Sequence, residues 1–418
     1  MNNNYSDIKY NIVKNRFHHN LEADFGCVAL WKSARPHLDE IRKLLNENFE
    51  VLLETEIEWS EKHFHANAQR LYEAPIYVGV NHDKIHSSHS KKIGDNKFIL
   101  FVVKDVNPNY TYAQSVSGKV EMSNLNIVDA KYKVRDWIAE NSDEKYGVHS
   151  TNNIHEFFFQ VPLLLGENRF IRLINSEKII EPIISKDLEG AEGWESYNDL
   201  FKILNLTTNY LVQRGFETLP DENPEMDIDF LTDNHQRLAS AIGAKQKKEQ
   251  LYKGFVFIKK QSISLDFRYV GDKYYDVNWE KDMLQNKVFR NGVYVPREDD
   301  YFFSLLFHAK VQKQKVKEKY IGILEELSKS LEFNWYKTEY LKDDQAIGRI
   351  LRGYYQSQSY VYENPIDKGV FKNKNVIKLL PFVSTSRMKR SFKSKVKNKV
   401  VMLLPKKFIP VIKTLIGK

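Results

Sequence analysis

Short apolar segments, each beside a stretch of helical spacing, are the feature that most limits how this chain can fold. Residues 25–31 read FGCVALW, which fits a buried strand, and the PHLDEIRKLLNENF that follows has apolar residues at helical spacing. A second strand is predicted at KFILFVVKD (97–105), and IHEFFFQVPLLLG (154–166) is typical of a helix ended by a glycine. The first part of the chain therefore alternates strands and helices.

Length and composition favour a cytoplasmic protein of two domains. The 418 residues, 42% of them hydrophobic, exceed what one compact core usually organises. No apolar run approaches the roughly 18 to 20 residues of a spanning helix, and the N-terminus lacks the apolar segment of a signal peptide. The single cysteine, Cys27, excludes a disulfide framework and a multi-cysteine zinc site.

These patterns predict an α+β protein with two domains and two terminal extensions. The segment around residues 175–194 is rich in Glu, Lys, Gly and Pro and poor in pattern, so we expect a linker there. The expected organisation is an N-terminal extension (1–24), a first domain (25–172), a linker (173–195), a second domain (196–380) and a tail (381–418).

The second domain is predicted to begin with a helix and to continue with two short strands. SYNDLFKILNLTTNYLVQRGF (196–216) reads as a helix that ends at Gly215. MDIDFLT (226–232) and ISLDFRYV (263–270) alternate apolar residues with charged ones, as strands do, and HQRLASAIGA between them is typical of a helix. From Asp299 to Leu351 the pattern is mostly helical.

His149, in YGVHSTNN, precedes the helix predicted to begin near Ile154. Free N–H groups and the positive end of the helix dipole favour an anion at such a position, so phosphate is a candidate ligand. A neutral imidazole can also attack phosphorus and carry the phosphoryl group as a covalent intermediate. The alternative is that His149 makes a capping interaction in an ordinary loop.

Residues 25–166 resemble a divergent nucleoside diphosphate kinase domain. The matching segments are ALWKSARP, HFHANAQRLYE, KYKVRDW and YGVHSTNN. The resemblance implies a ferredoxin-like α/β sandwich in which His149 is phosphorylated and the matched Lys and Arg residues hold nucleotide phosphates. Those residues are Lys32, Arg70 and Arg135, and Tyr72 is a further matched position for substrate binding. Ser150, Thr151 and Asn152 replace the Gly-Ser-Asp that follows the histidine in the family.

Asp227 and Asp229, in EMDIDFL, are spaced i and i+2 on a predicted strand, so both carboxylates project from one face. Adjacent acids are costly unless a cation lies between them, and Mg²⁺ prefers such oxygen ligands together with substrate phosphates. Asp266, in SLDFRYV, lies on a later strand that could pair with the first. Three acids on neighbouring strands can hold Mg²⁺ or Mn²⁺ during phosphoryl transfer. The alternative is two solvent-facing acids on an amphipathic strand.

The D-x-D, a helical interval and a single acid on an apolar strand resemble the core of the polymerase-beta-like nucleotidyltransferase superfamily. This superfamily includes the LicD and fukutin-like phosphotransferases, and the resemblance implies a mixed sheet with helices. It also implies that Arg214 and Gly215, in YLVQRGFETLP, bind substrate. Arg268 shares a strand face with Asp266 and is predicted to pair either with that acid or with a phosphate. The loop YVGDKYYDVNWEKDML (269–284) is a candidate for substrate recognition, with simple packing as its alternative.

The C-terminal tail holds the excess positive charge. From Arg387 to Lys418 there are eleven Lys and Arg and no acid, so the formal net charge of +8 leaves −3 for residues 1–386. MKRSFKSKVKNKVVMLL (388–404) has apolar residues near one helical face and lysines around the rest. Such a basic amphipathic helix favours an anionic membrane surface, with nucleic acid or a partner helix as alternatives. The negative remainder argues against a nucleic-acid groove elsewhere.

These features together predict a membrane-associated transferase on the inner face of the membrane. It would move a phosphate-bearing group from a nucleotide-activated donor to a cell-surface glycan or a lipid-linked acceptor. Asp227 and Asp229 would bind Mg²⁺ or Mn²⁺, and Asp266 would be the third ligand or the base. Two alternatives remain: a nucleotide phosphotransferase that uses His149, and a nucleotide-binding scaffold without catalysis.

Overall fold

The computed structural model describes residues 23–78, 91, 93–114, 118, 120–141, 147–248, 250 and 252–382. These residues form a mixed α+β structure, which confirms the predicted fold class at that level. The predicted N-terminal extension (1–24) and amphipathic tail (381–418) lie outside the described residues, apart from two residues of each.

The chain divides into two compact units. The first comprises the described residues up to Val270 together with Leu284–Arg297, and the second comprises Gly271–Met283 together with the described residues from Glu298 onward. The sequence placed its domain boundary at the linker 173–195, whereas the structure joins both sides of that segment in the first unit.

The first unit begins with the alternating strands and helices that the apolar pattern predicted. Gly166 has a φ of 80° and interrupts the long helix at the position where the sequence predicts its end. The elements are β1 (Asp24–Leu30), α1 (Leu38–Asn48), β2 (Glu50–Glu58), α2 (Phe64–Leu71), β3 (Ile76–Tyr77), β4 (Lys97–Asp105), β5 (Tyr110–Gln114), β6 (Val120–Asn124), α3 (Leu125–Asn141), β7 (Val148–Ser150), α4 (Ile154–Ile174) and β8 (Ile183–Ser185).

Five of these strands form a sheet in the order β7-β1-β4-β2-β8. The first four are antiparallel to their neighbours, and β8 pairs in parallel with β2. Because β8 lies within the predicted linker, that segment contributes a strand to this sheet. Ile184 of β8 is buried, and Ile179 just before it forms a bridge with Leu53. Apolar side chains of β1 and β4 pack against α1 and α3 to form the core on one face.

The rest of the first unit builds a second, mixed sheet in the order β3-β11-β12-β13-β10-β9. The predicted helix over 196–216 is wrong in its second half, because the helix ends at Thr207 and a strand follows. The remaining elements are α5 (Tyr197–Thr207), β9 (Tyr210–Val212), β10 (Asp227–Thr232), α6 (His235–Ile242), β11 (Lys245–Gln246), β12 (Lys253–Ile258), β13 (Gln261–Tyr269), β14 (Val288–Arg290) and β15 (Val293–Val295).

The second unit is helical, as the pattern after Asp299 predicted. Trp279 is fully buried, and its ring contacts those of Tyr275, Phe307 and Tyr355. The helices are α7 (Val277–Gln285), whose last two residues belong to the first unit, α8 (Glu298–Val311), α9 (Glu318–Ser330), α10 (Asp344–Ser357) and α11 (Lys374–Ile377).

Candidate functional site

The two aspartates of β10 lie on the face of the strand opposite to its core residues. Ile228 and Phe230 are fully buried, and the Phe230 ring stacks on that of Phe267. Because successive side chains of a strand point to opposite faces, Asp227 and Asp229 share the other face. Asp227 is exposed and Asp229 is half-buried.

The third aspartate lies directly beside this pair. Strands β10 and β13 are parallel, and their register places Asp229 opposite Asp266 and Asp227 opposite Ser264. Register partners in a sheet point to the same face, so the structure brings all three predicted acids to one side of two neighbouring strands. The apolar residues of both strands, buried on the other face, fix this register.

Two arginines accompany the aspartates. The Nη2 atom of Arg214 lies 2.8 Å from Oδ1 of Asp229, and the two side chains are 10% and 17% exposed. Arg268 approaches Asp266 with Nε at 3.2 Å from Oδ1 and donates a hydrogen bond from Nη2 to Oδ2 at 3.3 Å. The Nε contact is an ion pair without hydrogen-bond alignment. Of the two predicted roles of Arg268, pairing with Asp266 is the one seen here.

The environment of Asp266 disfavours its ionised form. Burial raises the pKa of Asp266, and the neighbouring Asp229 carboxylate adds to this effect, while Arg268, Arg214 and Lys253 oppose it. Burial is therefore the main cause of the raised pKa of Asp266.

A tight turn after β9 positions Arg214. The backbone N–H of Gln213 donates to the carbonyl of Asp229 at 2.8 Å, and its side-chain amide donates to the carbonyl of Phe230 at 2.9 Å. Gly215 follows with a φ of 69°, a conformation that costs other residues about 1 to 2 kcal/mol. Glycine here lets the chain turn away while Arg214 stays beside β10.

Lys253 is a basic residue of this site that the sequence did not reveal. It begins β12 and is the antiparallel register partner of Asp266, so it shares the face of the aspartates. The alternation of residues in KGFVFI favours a strand, but the sequence alone does not show which strand it pairs with. The face therefore carries three acids and three bases in close succession.

The donor chemistry of this face fits Mg²⁺ or Mn²⁺, because its three acids all offer hard carboxylate oxygens. Their present arrangement is not that of a formed site: within the part of the chain that the structure describes, no group of three or more His, Cys, Asp or Glu side chains is placed to hold a metal ion. Two of the three carboxylates are instead paired with arginines. A cation would have to share or displace those pairs.

His149 lies on β7 rather than in a loop. Its Nε2 atom and the Oε1 atom of Gln160 are 2.9 Å apart. The ring packs edge to face against Tyr72 at 5.1 Å and is stacked on Trp31 at 6.3 Å. Burial raises the pKa of Tyr72, and Arg135 opposes the rise. The structure therefore brings His149, Tyr72 and Arg135 into one neighbourhood.

Arg135 and Lys32, the other two cations matched to the kinase-like pattern besides Arg70, lie in different surroundings. Arg135 on α3 donates from Nη2 to the carbonyl of Val148 at 3.3 Å, next to His149 in the chain. Lys32 begins a short 3-10 helix, and its exposed side chain lies beside Gly94. Its predicted role in phosphate binding stays a prediction.

Arg70 does not fit the predicted phosphate-binding role. Its side chain is buried and donates hydrogen bonds to the carbonyls of Ser240 at 2.9 Å, Ala241 at 2.9 Å and Glu189 at 2.7 Å. The first two carbonyls belong to the last turn of α6, so Arg70 caps that helix. Burial lowers the pKa of Arg70 to about 10, although nearby acids favour its charge.

A buried polar network close to His149 was also missed by the sequence. Asn152 accepts a hydrogen bond from Nζ of Lys131 at 2.6 Å, and its backbone N–H donates to Glu156 at 2.7 Å. Its side-chain amide donates to Glu121 at 2.9 Å. Burial lowers the pKa of Lys131 to about 8 and raises that of Glu156. Asn152, a departure from the kinase-like pattern, is the centre of this network.

The aromatic loop of the second unit is packed rather than open. Tyr274, Tyr275 and Trp279 are all buried, and Oη of Tyr274 lies 3.1 Å from Nδ1 of His308. Asp276 accepts hydrogen bonds from the backbone N–H groups of Asn278 and Val361. These contacts favour the packing interpretation over substrate recognition.

Comparison with protein family models, with curated proteins and with solved structures finds no match to this chain. Within the described residues, the structure contains no helix with both the length and the apolar character needed to cross a membrane.

Proposed function

We propose that this protein is a metal-dependent transferase that moves a phosphate-bearing group from a nucleotide-activated donor to a glycan or lipid-linked acceptor. The observation that carries the proposal is the register of β10 and β13, which places Asp229 beside Asp266 with Asp227 on the same face. Acids concentrated on one face are suited to divalent cations, and the adjacent bases are suited to phosphates.

In this proposal Asp227 and Asp229 hold Mg²⁺ or Mn²⁺, and Asp266 is the third ligand or the base. Bound between protein and donor, the metal would neutralise charge on the transferred phosphate. Asp227 has the most exposed carboxylate of the three, so it is the first that a cation from solvent would meet.

The three basic residues of the same face would bind the donor's phosphates. Arg214 and Arg268 offer several N–H donors each, and charge-assisted hydrogen bonds from guanidinium groups to phosphate are strong and directional. Lys253 adds a third positive charge next to Asp266. Neutralisation of the donor by these side chains would position its phosphorus close to the aspartates.

Asp266 is the best candidate for accepting the proton of an acceptor hydroxyl. Burial and the Asp229 carboxylate raise the pKa of Asp266, which makes it a better proton acceptor than an ordinary aspartate. Oδ1 and Oδ2 both face Arg268, so the same arginine would stabilise the carboxylate before the proton arrives.

Sheet topology supports the finer fold proposals for both halves of the first unit. The order β7-β1-β4-β2, with helices α1 and α3 in the two crossovers, supports a ferredoxin-like α/β sandwich. The mixed sheet that carries the aspartates supports a nucleotidyltransferase-like core. The membrane-associated location on the inner face, and with it a lipid-linked acceptor, rests on the basic sequence of the tail.

Loss of metal binding in aspartate variants tests the proposal. We expect Asp227→Asn and Asp229→Asn each to weaken Mn²⁺ binding, measured by electron paramagnetic resonance, at least tenfold. The same variants should lose transfer from a panel of cytidine and uridine diphosphate-activated donors. Asp221→Asn is the matched control, because Asp221 is an exposed acid of the loop before β10. Unchanged Mn²⁺ affinity in both variants would refute the proposal.

A second candidate function is supported by the neighbourhood of His149. Tyr72 and Arg135, two of the residues matched to the kinase-like pattern, lie next to this histidine. In this candidate His149 attacks the γ-phosphorus of a nucleoside triphosphate, the bond to the β-γ bridging oxygen breaks, and the diphosphate leaves. The phosphoryl group then passes from His149 to a second nucleotide or a small acceptor.

Covalent labelling separates this candidate from the first. Incubation with nucleoside triphosphate labelled at the γ-phosphate should give acid-labile phosphate on His149 and none on the His149→Gln variant. His155, a histidine at the start of α4, provides the control variant His155→Gln. Absence of label on the wild-type chain counts against the histidine mechanism and leaves the aspartate site untouched.

A further inference from the structure

The aspartates of the candidate site are balanced by arginines in the structure described here. Arg214 pairs with Asp229 at 2.8 Å, and Arg268 pairs with Asp266 at 3.2 Å. A divalent cation that used Asp229 would meet the guanidinium group of Arg214 at the same oxygen. Like charges at contact distance repel, so the cation and this guanidinium compete for Asp229.

The two arginines are held differently. Arg268 lies within β13, its side chain is 5% exposed, and its guanidinium group lies over the ring of Tyr252 at 5.6 Å. Arg214 lies in the turn that follows β9 rather than within a strand, and its side chain is 10% exposed. Arg214 is therefore the less firmly held of the two arginines and the one more able to change partner.

We infer that Arg214 exchanges the Asp229 carboxylate for the donor's phosphate when the metal binds. This inference rests on the proposed function. Once the Asp229 carboxylate served as a metal ligand, the guanidinium group of Arg214 would leave it and bind the negatively charged donor. Metal and donor would therefore each strengthen the binding of the other through one side chain.

Removal of the positive charge of Arg214 should change the affinities for Mn²⁺ and for nucleotide in opposite directions. In Arg214→Gln, Mn²⁺ affinity without nucleotide should rise about fivefold or more, a typical size for such coupling, because the competing charge is gone. Cytidine diphosphate affinity at saturating Mn²⁺ should fall by a similar factor, because the phosphate partner is lost. A merely structural role of Arg214 would lower both affinities.

Two further variants make the test specific. Arg214→Lys keeps a positive charge, so its Mn²⁺ affinity should stay within about twofold of the wild-type value. Arg290→Gln removes an exposed arginine of β14 in the same unit and should change neither affinity. Mn²⁺ binding is read by electron paramagnetic resonance and nucleotide binding by calorimetry, with circular dichroism as the check on folding.

The outcomes separate this inference from the function on which it rests. If Asp229→Asn weakens Mn²⁺ binding while Arg214→Gln leaves it unchanged or weaker, the exchange of partners is overturned and the metal site stands. If Asp227→Asn and Asp229→Asn both leave Mn²⁺ binding intact, the proposed function itself fails. A rise in Mn²⁺ affinity with a fall in nucleotide affinity supports the exchange.

Discussion

Asp229 and Asp266 are register partners in a parallel strand pair, so their carboxylates project from the same side of two adjacent strands. Neighbouring strands lie about 4.8 Å apart, a spacing at which two unscreened carboxylates repel strongly. Arg214 and Arg268 neutralise this repulsion in the structure described here. The arginines therefore contribute to stability as well as to the proposed binding of phosphates.

Loss of Arg268 should destabilise the first unit through the acid that it leaves behind. We expect Arg268→Met to lower the free energy of unfolding by about 2 to 3 kcal/mol, less than for a fully buried pair. The expected loss is smaller than for a fully buried pair because the Asp266 side chain is 22% exposed. Urea denaturation followed by fluorescence measures the change.

The double variant Asp266→Leu/Arg268→Met shows whether the unpaired charge is the cause. Replacement of both partners removes the uncompensated carboxylate, so we expect the double variant to be more stable than Arg268→Met alone. A double variant at least as unstable as the sum of the single ones would contradict this account.

Arg70 provides a stability prediction that is independent of any ligand. Its three hydrogen bonds to backbone carbonyls join α2 to the end of α6 and to residue Glu189. Arg70→Met should lower the free energy of unfolding by about 4 kcal/mol or more, because each of the three hydrogen bonds from this charged group contributes about 1.5 kcal/mol or more. Arg42→Met is the control, since Arg42 is 40% exposed and its ion pairs should contribute less than about 1 kcal/mol.

The sequence was sufficient to predict the elements whose pattern is local. Strands β1 and β4, the start of α4 at Ile154 and the helix α6 lie where apolar spacing and caps placed them. The side chain of Asn153, for example, accepts from the backbone N–H groups of His155 and Glu156, a local signal for a helix start. The i and i+2 spacing of Asp227 and Asp229 likewise needs only strand geometry.

The sequence alone could not predict features that depend on residues far away in the chain. Residues 210–212 have an apolar pattern that fits a helix or a strand, and they form a strand because they pair with β10. Arg70 resembles a phosphate ligand in sequence, yet the carbonyls that it binds belong to residues about 170 positions later. Lys253 reaches the aspartates only because β12 pairs with β13.

Gly190 and Gly215 form a matched pair for testing steric crowding. Both have a positive φ, 71° and 69°, so alanine should cost about 1 to 2 kcal/mol at either position. At Gly190 a Cβ would also lie 2.4 Å from the Trp194 ring, whereas at Gly215 no atom beyond the two adjacent residues lies within 4 Å of it. Gly190→Ala should therefore destabilise the first unit clearly more than Gly215→Ala, as measured by urea denaturation. Equal losses would indicate that the Trp194 ring moves aside without cost.

Glu280 in the second unit should make stability depend on pH. Burial raises the pKa of Glu280 to about 9, and the neighbouring Asp272 carboxylate adds to the rise, while the N–H groups of Gly271 and Tyr275 oppose it. Between the ordinary glutamate pKa and pH 9 the folded state thus binds more protons than the unfolded state. The free energy of unfolding should therefore fall as pH rises through this window, by up to about 1.4 kcal/mol per pH unit.

Asp272→Asn should flatten this dependence. An asparagine keeps the oxygen that accepts from the backbone N–H of Tyr274, and it removes the negative charge that disfavours ionisation of Glu280. Calorimetric unfolding of the second unit from pH 6 to pH 9 should then show a smaller decline than in the wild-type chain. Glu339→Gln, a change at an exposed acid of the same unit, should leave the decline as it is. If Asp272→Asn and the wild-type chain lose stability in parallel, the repulsion between Asp272 and Glu280 is not the source of the pH dependence.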